Sequence, residues 1–247
     1  MCNPSAWPRS FTPKSTGYTS THRLETLSST SFLKLAAVAA FLTALTTLGV
    51  HFIEFHADTF EERLLLAHDT GYIAQKWMVI FHCLLVIVSM FGVATIAARS
   101  NRGLAALGAL FFAVFGVAEI TRMFAVLAYL NPLREKHLAA TEPAVQQILK
   151  MQLESFGAAA NILFLLFILA FALGNLFTGL ALPKHEKPER WMGRGFLFWA
   201  TLTFLAFGND FWGIEALNPV IEANNKFFQP AFRAVIGWWL WQTSKAD

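Results

Sequence analysis

Long apolar runs constrain this chain more than any other feature of its sequence. A helix needs roughly 20 apolar residues to cross the hydrocarbon core of a bilayer, and five runs reach or approach that length. They cover residues 32–53, 77–98, 104–130, 156–182 and 191–211. Hydrophobic residues make up 55% of the chain and charged residues only 14%. This balance is typical of an integral membrane protein and not of a soluble domain.

A sixth apolar run, at 227–241, is shorter and carries Pro230 and Arg233 near its start. Two interpretations of this run stay open, a sixth span and a re-entrant or interfacial helix. We predict an all-α fold, a polytopic transmembrane helix bundle with six spans; the alternative is five spans plus a re-entrant or interfacial C-terminal helix. The short loop at 99–103 predicts that neighbouring spans run antiparallel within one bundle.

The basic residues predict the orientation of the chain, because cytoplasmic loops collect Lys and Arg. With the N-terminus inside, the inner segments hold eleven of the 19 Lys and Arg residues and the outer segments hold six. We therefore predict a multi-pass protein of the inner (plasma) membrane with a cytoplasmic N-terminus, and with a cytoplasmic C-terminus if six spans are present. Acidic residues concentrate in the outer segments, which favours an outer face that attracts cations.

The first 31 residues differ from the rest of the chain in composition. They include 13 Ser or Thr and three Pro, and they cannot bury enough apolar surface to fold alone. We predict a flexible cytoplasmic N-terminal tail at 1–31 and a single transmembrane helical bundle domain at 32–247. Helical patterns are also expected in the outer loops, around 60–68 and from Pro143 straight into the fourth span.

An acid and a base lie three residues apart inside the third apolar run. Glu119 and Arg122 share one helix face at this spacing. A lone charge in hydrocarbon costs roughly 3 kcal/mol or more, so the pair must face protein, water or a ligand rather than lipid. Two interpretations stay open: the pair serves a ligand or a proton, or it is a latch that fixes helix packing.

Other polar residues share the outer half of the predicted membrane with this pair. A rise of about 1.5 Å per residue places His82 and Asn161 roughly 8 Å below the outer ends of their spans, and His51 belongs to the outer end of the first span. We predict a polar cavity that opens outward. Its members are Glu119, Arg122, His82, Asn161 and His51, with Glu54 and Asp210 at its mouth.

Cofactor and enzyme interpretations have less support in the sequence. His51, Glu54 and His56 resemble a metal-ligand cluster, but only His51 and Glu54 share a helix face. A haem between His51 and His82 is geometrically conceivable, and no other cofactor is predicted. No motif for a catalytic residue is present. The net charge of +3 is spread over short inner loops without an aromatic-basic stripe, so no nucleic-acid partner is expected.

Short stretches of the chain also carry a family resemblance. A basic turn, ARSNR at 98–102, precedes a span with an embedded acid and is followed by ESF at 154–156, FALGNL at 171–176 and the loop at 183–194. This order resembles that of a family of six-span bacterial integral membrane proteins of unknown function. The likeness covers spans two to five. It implies a six-helix bundle and brings no catalytic residues.

Three classes of function follow from these observations. The first is a non-catalytic accessory or scaffold subunit, whose small-residue helix faces contact other membrane subunits or a second copy within the lipid bilayer. The second is a protein that binds, transports or senses a small solute or cation through Glu119. The third is a haem- or metal-binding membrane oxidoreductase subunit. The sequence shows no repeat or broken helix that would indicate a transporter, which favours the first class.

Overall fold

The computed structural model describes residues 19–53, 55, 57–183 and 187–246, and every regular element in these ranges is helical. In chain order the helices are α1 (Thr19–Phe52), α2 (Phe60–Leu65), α3 (Thr70–Ala97), α4 (Arg102–Ala125), α5 (Asn131–Ala139), α6 (Pro143–Ala181), α7 (Lys187–Trp212), α8 (Asn218–Ala223) and α9 (Gln229–Ala246). The prediction of an all-α helix bundle is confirmed at this level. The predicted tail at 1–31 lies partly outside the described residues. The described part of the chain begins with α1, at Thr19.

Four helical stretches are long and apolar enough to cross a membrane. They are Thr30–Phe52, Thr70–Ala97, Arg102–Ala139 and Pro143–Ala181. Helices α7 and α9 belong to the same bundle but are less apolar, because polar and charged residues interrupt them. The long apolar helices suggest a membrane-embedded protein.

The six long helices form a ring. Packing contacts run in the order α9, α1, α3, α4, α6 and α7, and weaker contacts between α7 and α9 close the ring. The connections alternate between the two ends of the bundle, so each helix is antiparallel to the helix that precedes it in this set. Ring contacts of Phe232 with Phe196 and Trp199, at centroid distances of 5.3 and 5.5 Å, hold α9 against α7.

Local sequence signals determine where several helices begin. The Asp69 side chain caps α3 by accepting a hydrogen bond of 2.9 Å from the Tyr72 backbone N–H, and Asn101 caps α4 in the same way. Helix α6 begins at Pro143, where a missing N–H costs no intrahelical bond, and continues unbroken to Ala181. Helix α2 lies where an amphipathic helix was predicted in the first outer loop. The patterns read from these segments therefore match the structure.

One half of the bundle is closely packed through small residues. This half, called the packed half, contains the segments 33–40, 86–97, 105–112, 171–182, 192–200 and 236–240 of the six long helices. A Cβ added at Gly92 would collide with the Cβ of Ala36, and one added at Gly179 would lie 2.9 Å from the carbonyl oxygen of Gly193. Helices α1 and α3, and α6 and α7, therefore approach each other at backbone distance.

The other half of the same six helices encloses a cavity and is called the cavity half. The short helices α2, α5 and α8 lie at this end of the bundle. Two π-helical segments, Val126–Leu130 and Asn224–Phe228, join α4 to α5 and α8 to α9 without a break. Such π segments interrupt regular α packing and occur frequently at functional sites. The structure thus separates a close-packed end from a hollow end.

Candidate ligand-binding cavity

The cavity has a volume of about 310 Å³ and is lined by side chains from all six long helices. Aromatic rings of Phe115, Phe164, Phe167 and Phe171 contribute to its apolar wall. Polar and charged side chains from α1, α3, α4, α7 and α9 line the remainder. This combination, an apolar pocket with a few converging polar groups, is typical of small-molecule sites.

Glu119 and Arg122 form a bidentate ion pair at the cavity wall. Arg122 donates from Nε to Glu119 Oε2 at 2.7 Å and from Nη2 to Oε1 at 2.6 Å. Glu119 is only 4% exposed, whereas a quarter of the Arg122 side chain is exposed, and its guanidinium lies 5.2 Å from the Phe164 ring centroid. Both carboxylate oxygens therefore have a strong charged donor, and Arg122 compensates the charge of Glu119.

Three further predicted site residues also line the cavity. The His82 Nδ1 and the Thr46 hydroxyl oxygen are 2.7 Å apart, which links α3 to α1 and fixes the imidazole ring. His51 lies at the C-terminal end of α1, and Asp210 lies near the end of α7, where its side chain is exposed. The structure thus brings Glu119, Arg122, His51, His82 and Asp210 to one cavity.

Asn161 lies elsewhere. It is exposed on α6 and does not line the cavity, whereas Phe164, one turn further along the same helix, does. Asn161 shares a helix face with the cavity-lining residues Phe164 and Ile168, but it lies nearer the start of α6, in a stretch (157–162) that is exposed on most sides and extends beyond the cavity wall.

The residues that resembled a metal site are only partly described. Glu54 and His56 lie outside the described residues, so the predicted cavity mouth is represented there by Asp210 and the predicted metal cluster by His51. Within the described ranges, no group of three or more His, Cys, Asp or Glu side chains could hold a metal ion. The haem alternative has His51 and His82 on the cavity wall, with His82 Nδ1 engaged by Thr46.

The sequence analysis missed the most deeply buried cation of the cavity. Arg233, on the first turns of α9, is 2% exposed and lines the cavity. Its guanidinium carbon lies 5.0 Å from the Trp199 ring centroid and 5.7 Å from that of Phe171. Its Nε and Nη1 have no hydrogen-bond acceptor among the described residues.

The two ring contacts do not satisfy Arg233. A cation–π contact contributes about 2 kcal/mol when it is desolvated, but the rings accept no conventional hydrogen bond from the N–H groups. A buried donor without an acceptor costs about 1–3 kcal/mol, and more when it is charged. Desolvation of the cation itself costs several kcal/mol in addition. Arg233 therefore requires an acceptor from outside the described part of the chain, and water or an anionic ligand can supply it.

Other missed residues extend the polar wall around Arg233. Lys76 lines the cavity, and its Nζ donates to Gln75 Oε1 at 3.1 Å and lies 4.2 Å from the Tyr72 ring centroid. Asn224, in the second π segment, is 5% exposed and its Oδ1 has no donor within the described part of the chain. These residues lie near or beyond helix ends in the sequence, where an intramembrane site is not expected.

A signal for Arg233 was available in the sequence. The rule that singled out Glu119 and Arg122, a charge inside an apolar run, applies equally to Arg233 within 227–241. Because that run is short, the prediction from sequence concerned whether it spans the membrane and did not place Arg233 in a site. No comparable signal exists for Lys76, which lies just before an apolar run and counts as a loop residue.

Comparisons of the chain with protein-family models, with curated proteins and with solved structures found no match. The resemblance to six-span bacterial membrane proteins therefore stays a prediction. The functional inference rests on the cavity itself.

Proposed function

We propose that this chain is a six-span membrane protein that binds a small polar solute inside its helix bundle, for transport or for sensing. Helices α1, α3, α4, α6, α7 and α9 are the proposed spans. The cavity is proposed to open at the outer face, and the packed half, with both ends of the described chain, to face the cytoplasm of a cell bounded by the inner (plasma) membrane. The observation that carries the proposal is buried, unsatisfied Arg233 in a cavity lined by six helices.

The contrast with a purely structural bundle supports a binding function. Protein interiors that serve only stability are close-packed. The packed half of this bundle has such an interior. A cavity with three cations and a buried carboxylate is costly to maintain, because every charge must be desolvated. Costs of this kind are found at functional sites, where binding or catalysis requires them.

The proposal is tested by filling the cavity. Ala206 lines the cavity on α7, and its neighbour Leu205 is exposed on the outside of the same helix. We expect Ala206→Trp to abolish solute binding and Leu205→Trp to leave it unchanged. Binding is measured by calorimetry on protein in lipid nanodiscs, with benzoate, benzyl alcohol and benzylammonium as aromatic probes of similar size and different charge.

Two results would contradict the proposal. One is that none of the three probes binds more strongly to protein-containing nanodiscs than to empty ones. The other is that Ala206→Trp and Leu205→Trp have equal effects on binding. Size-exclusion chromatography of both variants establishes that each is folded before the comparison is made.

A second candidate function, an accessory subunit of a membrane complex, is favoured by an exposed segment of α6. Gly157, Ala158, Ala159 and Asn161 are exposed within an apolar helix, and a Cβ at Gly157 would meet no atom within 4 Å. Small residues with a nearby Asn in a membrane helix normally contact another helix. The proposed partner is a helix of another membrane subunit or of a second copy.

This second function has its own test. We expect Asn161→Leu combined with Gly157→Leu to weaken association, measured by chemical crosslinking in native membranes. The matched control is Ile162→Leu, which is also exposed on α6 but leaves the surface apolar and of similar size. An unchanged crosslinking pattern in the double variant would contradict the accessory-subunit function.

A further inference from the structure

We infer that the solute is a carboxylate with an apolar body, and that Arg233 binds the carboxylate group. This inference rests on the proposed function and specifies its substrate class. An arginine guanidinium carries five N–H donors in a planar fork that matches a carboxylate in geometry and charge. In this cavity the fork of Arg122 is already used by Glu119, whereas Nε and Nη1 of Arg233 have no acceptor.

The charge balance of the cavity favours an anion. Among the described residues, three cations line it, Lys76, Arg122 and Arg233, and two acids, Glu119 and Asp210. Glu119 is compensated by Arg122 through two hydrogen bonds, and Asp210 is exposed near the end of α7. The interior therefore retains an excess of positive charge, at Lys76 and Arg233. This differs from the expectation that the acidic outer segments and Glu119 favour a cation.

The surroundings of Arg233 favour an apolar body next to the carboxylate. Phe171 and Trp199 flank the guanidinium, and Phe115 and Phe167 stack on each other at a centroid distance of 4.7 Å in the same cavity wall. A fully hydrated anion such as inorganic phosphate would leave the cavity-lining rings of Phe115, Phe167 and Phe171 in contact with water. A carboxylate with an aromatic or aliphatic body covers them and gives the Arg233 guanidinium a charged acceptor at the same time.

The test compares the three matched probes on the intact protein in nanodiscs. We expect benzoate to bind at least tenfold more tightly than benzyl alcohol and benzylammonium, because only benzoate supplies a charged acceptor for Arg233. Preferential binding of the alcohol or of the ammonium would overturn the carboxylate inference and leave the proposed function intact. Binding of no probe would overturn both.

Variants of Arg233 test the assigned residue. We expect Arg233→Gln to weaken benzoate binding at least tenfold, and Arg233→Lys to weaken it less, because the ammonium keeps the charge but loses the planar fork. The control Lys245→Gln removes an exposed cation from the same helix and should change benzoate affinity less than twofold. Equal benzoate affinity in wild-type protein and Arg233→Gln would overturn the assignment.

Thermal unfolding distinguishes a variant that has lost the binding site from a variant that has not folded. Without ligand, Arg233→Gln should unfold at the same or a higher temperature than wild type, since an unsatisfied buried cation has been removed. With saturating benzoate, only proteins that retain Arg233 or Lys at this position should gain thermal stability. A lower unfolding temperature of ligand-free Arg233→Gln, together with unchanged benzoate stabilisation, would overturn the inference.

The carboxylate can reach the cavity from water or from the bilayer. Oleate incorporated in the nanodisc lipid serves as the membrane-borne probe, and benzoate added to the buffer serves as the aqueous one. Displacement of benzoate by oleate assigns the site to a lipid-derived fatty acid. Retention of benzoate in the presence of oleate assigns the site to a soluble acid. Both results support a carboxylate at Arg233.

Discussion

The two halves of this bundle are built on the same six helices and have opposite interiors. In the packed half, Gly and Ala let the backbones approach, and apolar side chains such as Trp199 and Phe196 fill the remaining space completely. In the cavity half, the helices surround about 310 Å³ lined by charged and aromatic side chains. The comparison teaches that close packing and the cavity are separated along the helix axis and not between helices.

The difference between the two halves follows from the chemistry of the side chains in each half. Close packing in a membrane depends on small residues, because dispersion contacts and not the hydrophobic effect drive helix association there. Ion pairs and unsatisfied donors hold helices less well, since desolvation offsets much of their attraction. The packed half therefore supplies the stability that the cavity half lacks.

The largest expected effect is a substitution that breaks the packed half. Gly92→Ala should lower the free energy of unfolding by about 1–3 kcal/mol, because its Cβ collides with that of Ala36 and α1 must move. The control Gly157→Ala, with open space around it, should raise stability by about 0.5–1 kcal/mol through helix propensity. Denaturant titration in detergent measures both, and equal effects would contradict the assigned packing.

A smaller effect is expected from the ion pair of the cavity half. Glu119→Gln leaves Arg122 without its carboxylate and should cost about 1–2 kcal/mol, below the range for a fully buried pair because Arg122 is a quarter exposed. The double variant Glu119→Gln with Arg122→Gln should recover most of this loss. The same denaturant titration measures these values, with exposed Glu154→Gln as the control.

Ligand response in the Glu119→Gln variant sharpens the comparison further. If the pair is a packing latch, benzoate should still bind to the folded fraction with little change in affinity. Loss of benzoate binding by a fully folded Glu119→Gln protein would instead give Glu119 a direct part in recognition.

The smallest expected effect lies in the short helix α2 above the cavity. Glu62 accepts hydrogen bonds from the backbone N–H groups of Thr59 and Asp58, at 3.1 and 2.9 Å. These bonds, with that of Thr59 the largest cause, hold the pKa of the Glu62 carboxyl below its ordinary range. The stabilisation is therefore complete above the unfolded-state pKa of about 4.3 and is lost as pH falls through the lower folded value.

Hydrogen exchange of the α2 amides measures this dependence. Protection factors at 60–65 should decrease as pH falls below about 4, after correction for the intrinsic exchange rate. Glu62→Gln keeps an acceptor for the capping bonds but cannot titrate, so its protection should not follow this pH dependence. Parallel pH profiles for wild-type protein and Glu62→Gln would contradict the role of the carboxylate.

Much of the candidate site could be predicted because burial of charge has a clear physical cost. Glu119 and Arg122 were recognisable from their spacing alone, and position along each helix placed His51, His82 and Asp210 in the outer half of the predicted membrane, where they line one cavity. Asn161 was predicted on the same grounds and shares a helix face with Phe164, yet it lies beyond the cavity wall on an exposed stretch of α6. Position along a helix is a property of that helix, whereas the residues that neighbouring helices cover depend on how the helices pack.

The sequence by itself determined that the chain is helical, where its long apolar helices lie and which charges are too costly to expose to lipid. These properties depend on local hydrogen bonding and on the transfer free energy of each side chain. Only the tertiary structure decided that Arg233 and Lys76 share the cavity with Glu119, and that Nε and Nη1 of Arg233 have no acceptor among the described residues. Helix order and rotation around the ring are set by contacts between small residues distant in the sequence, such as Ala36 with Gly92 and Gly179 with Gly193.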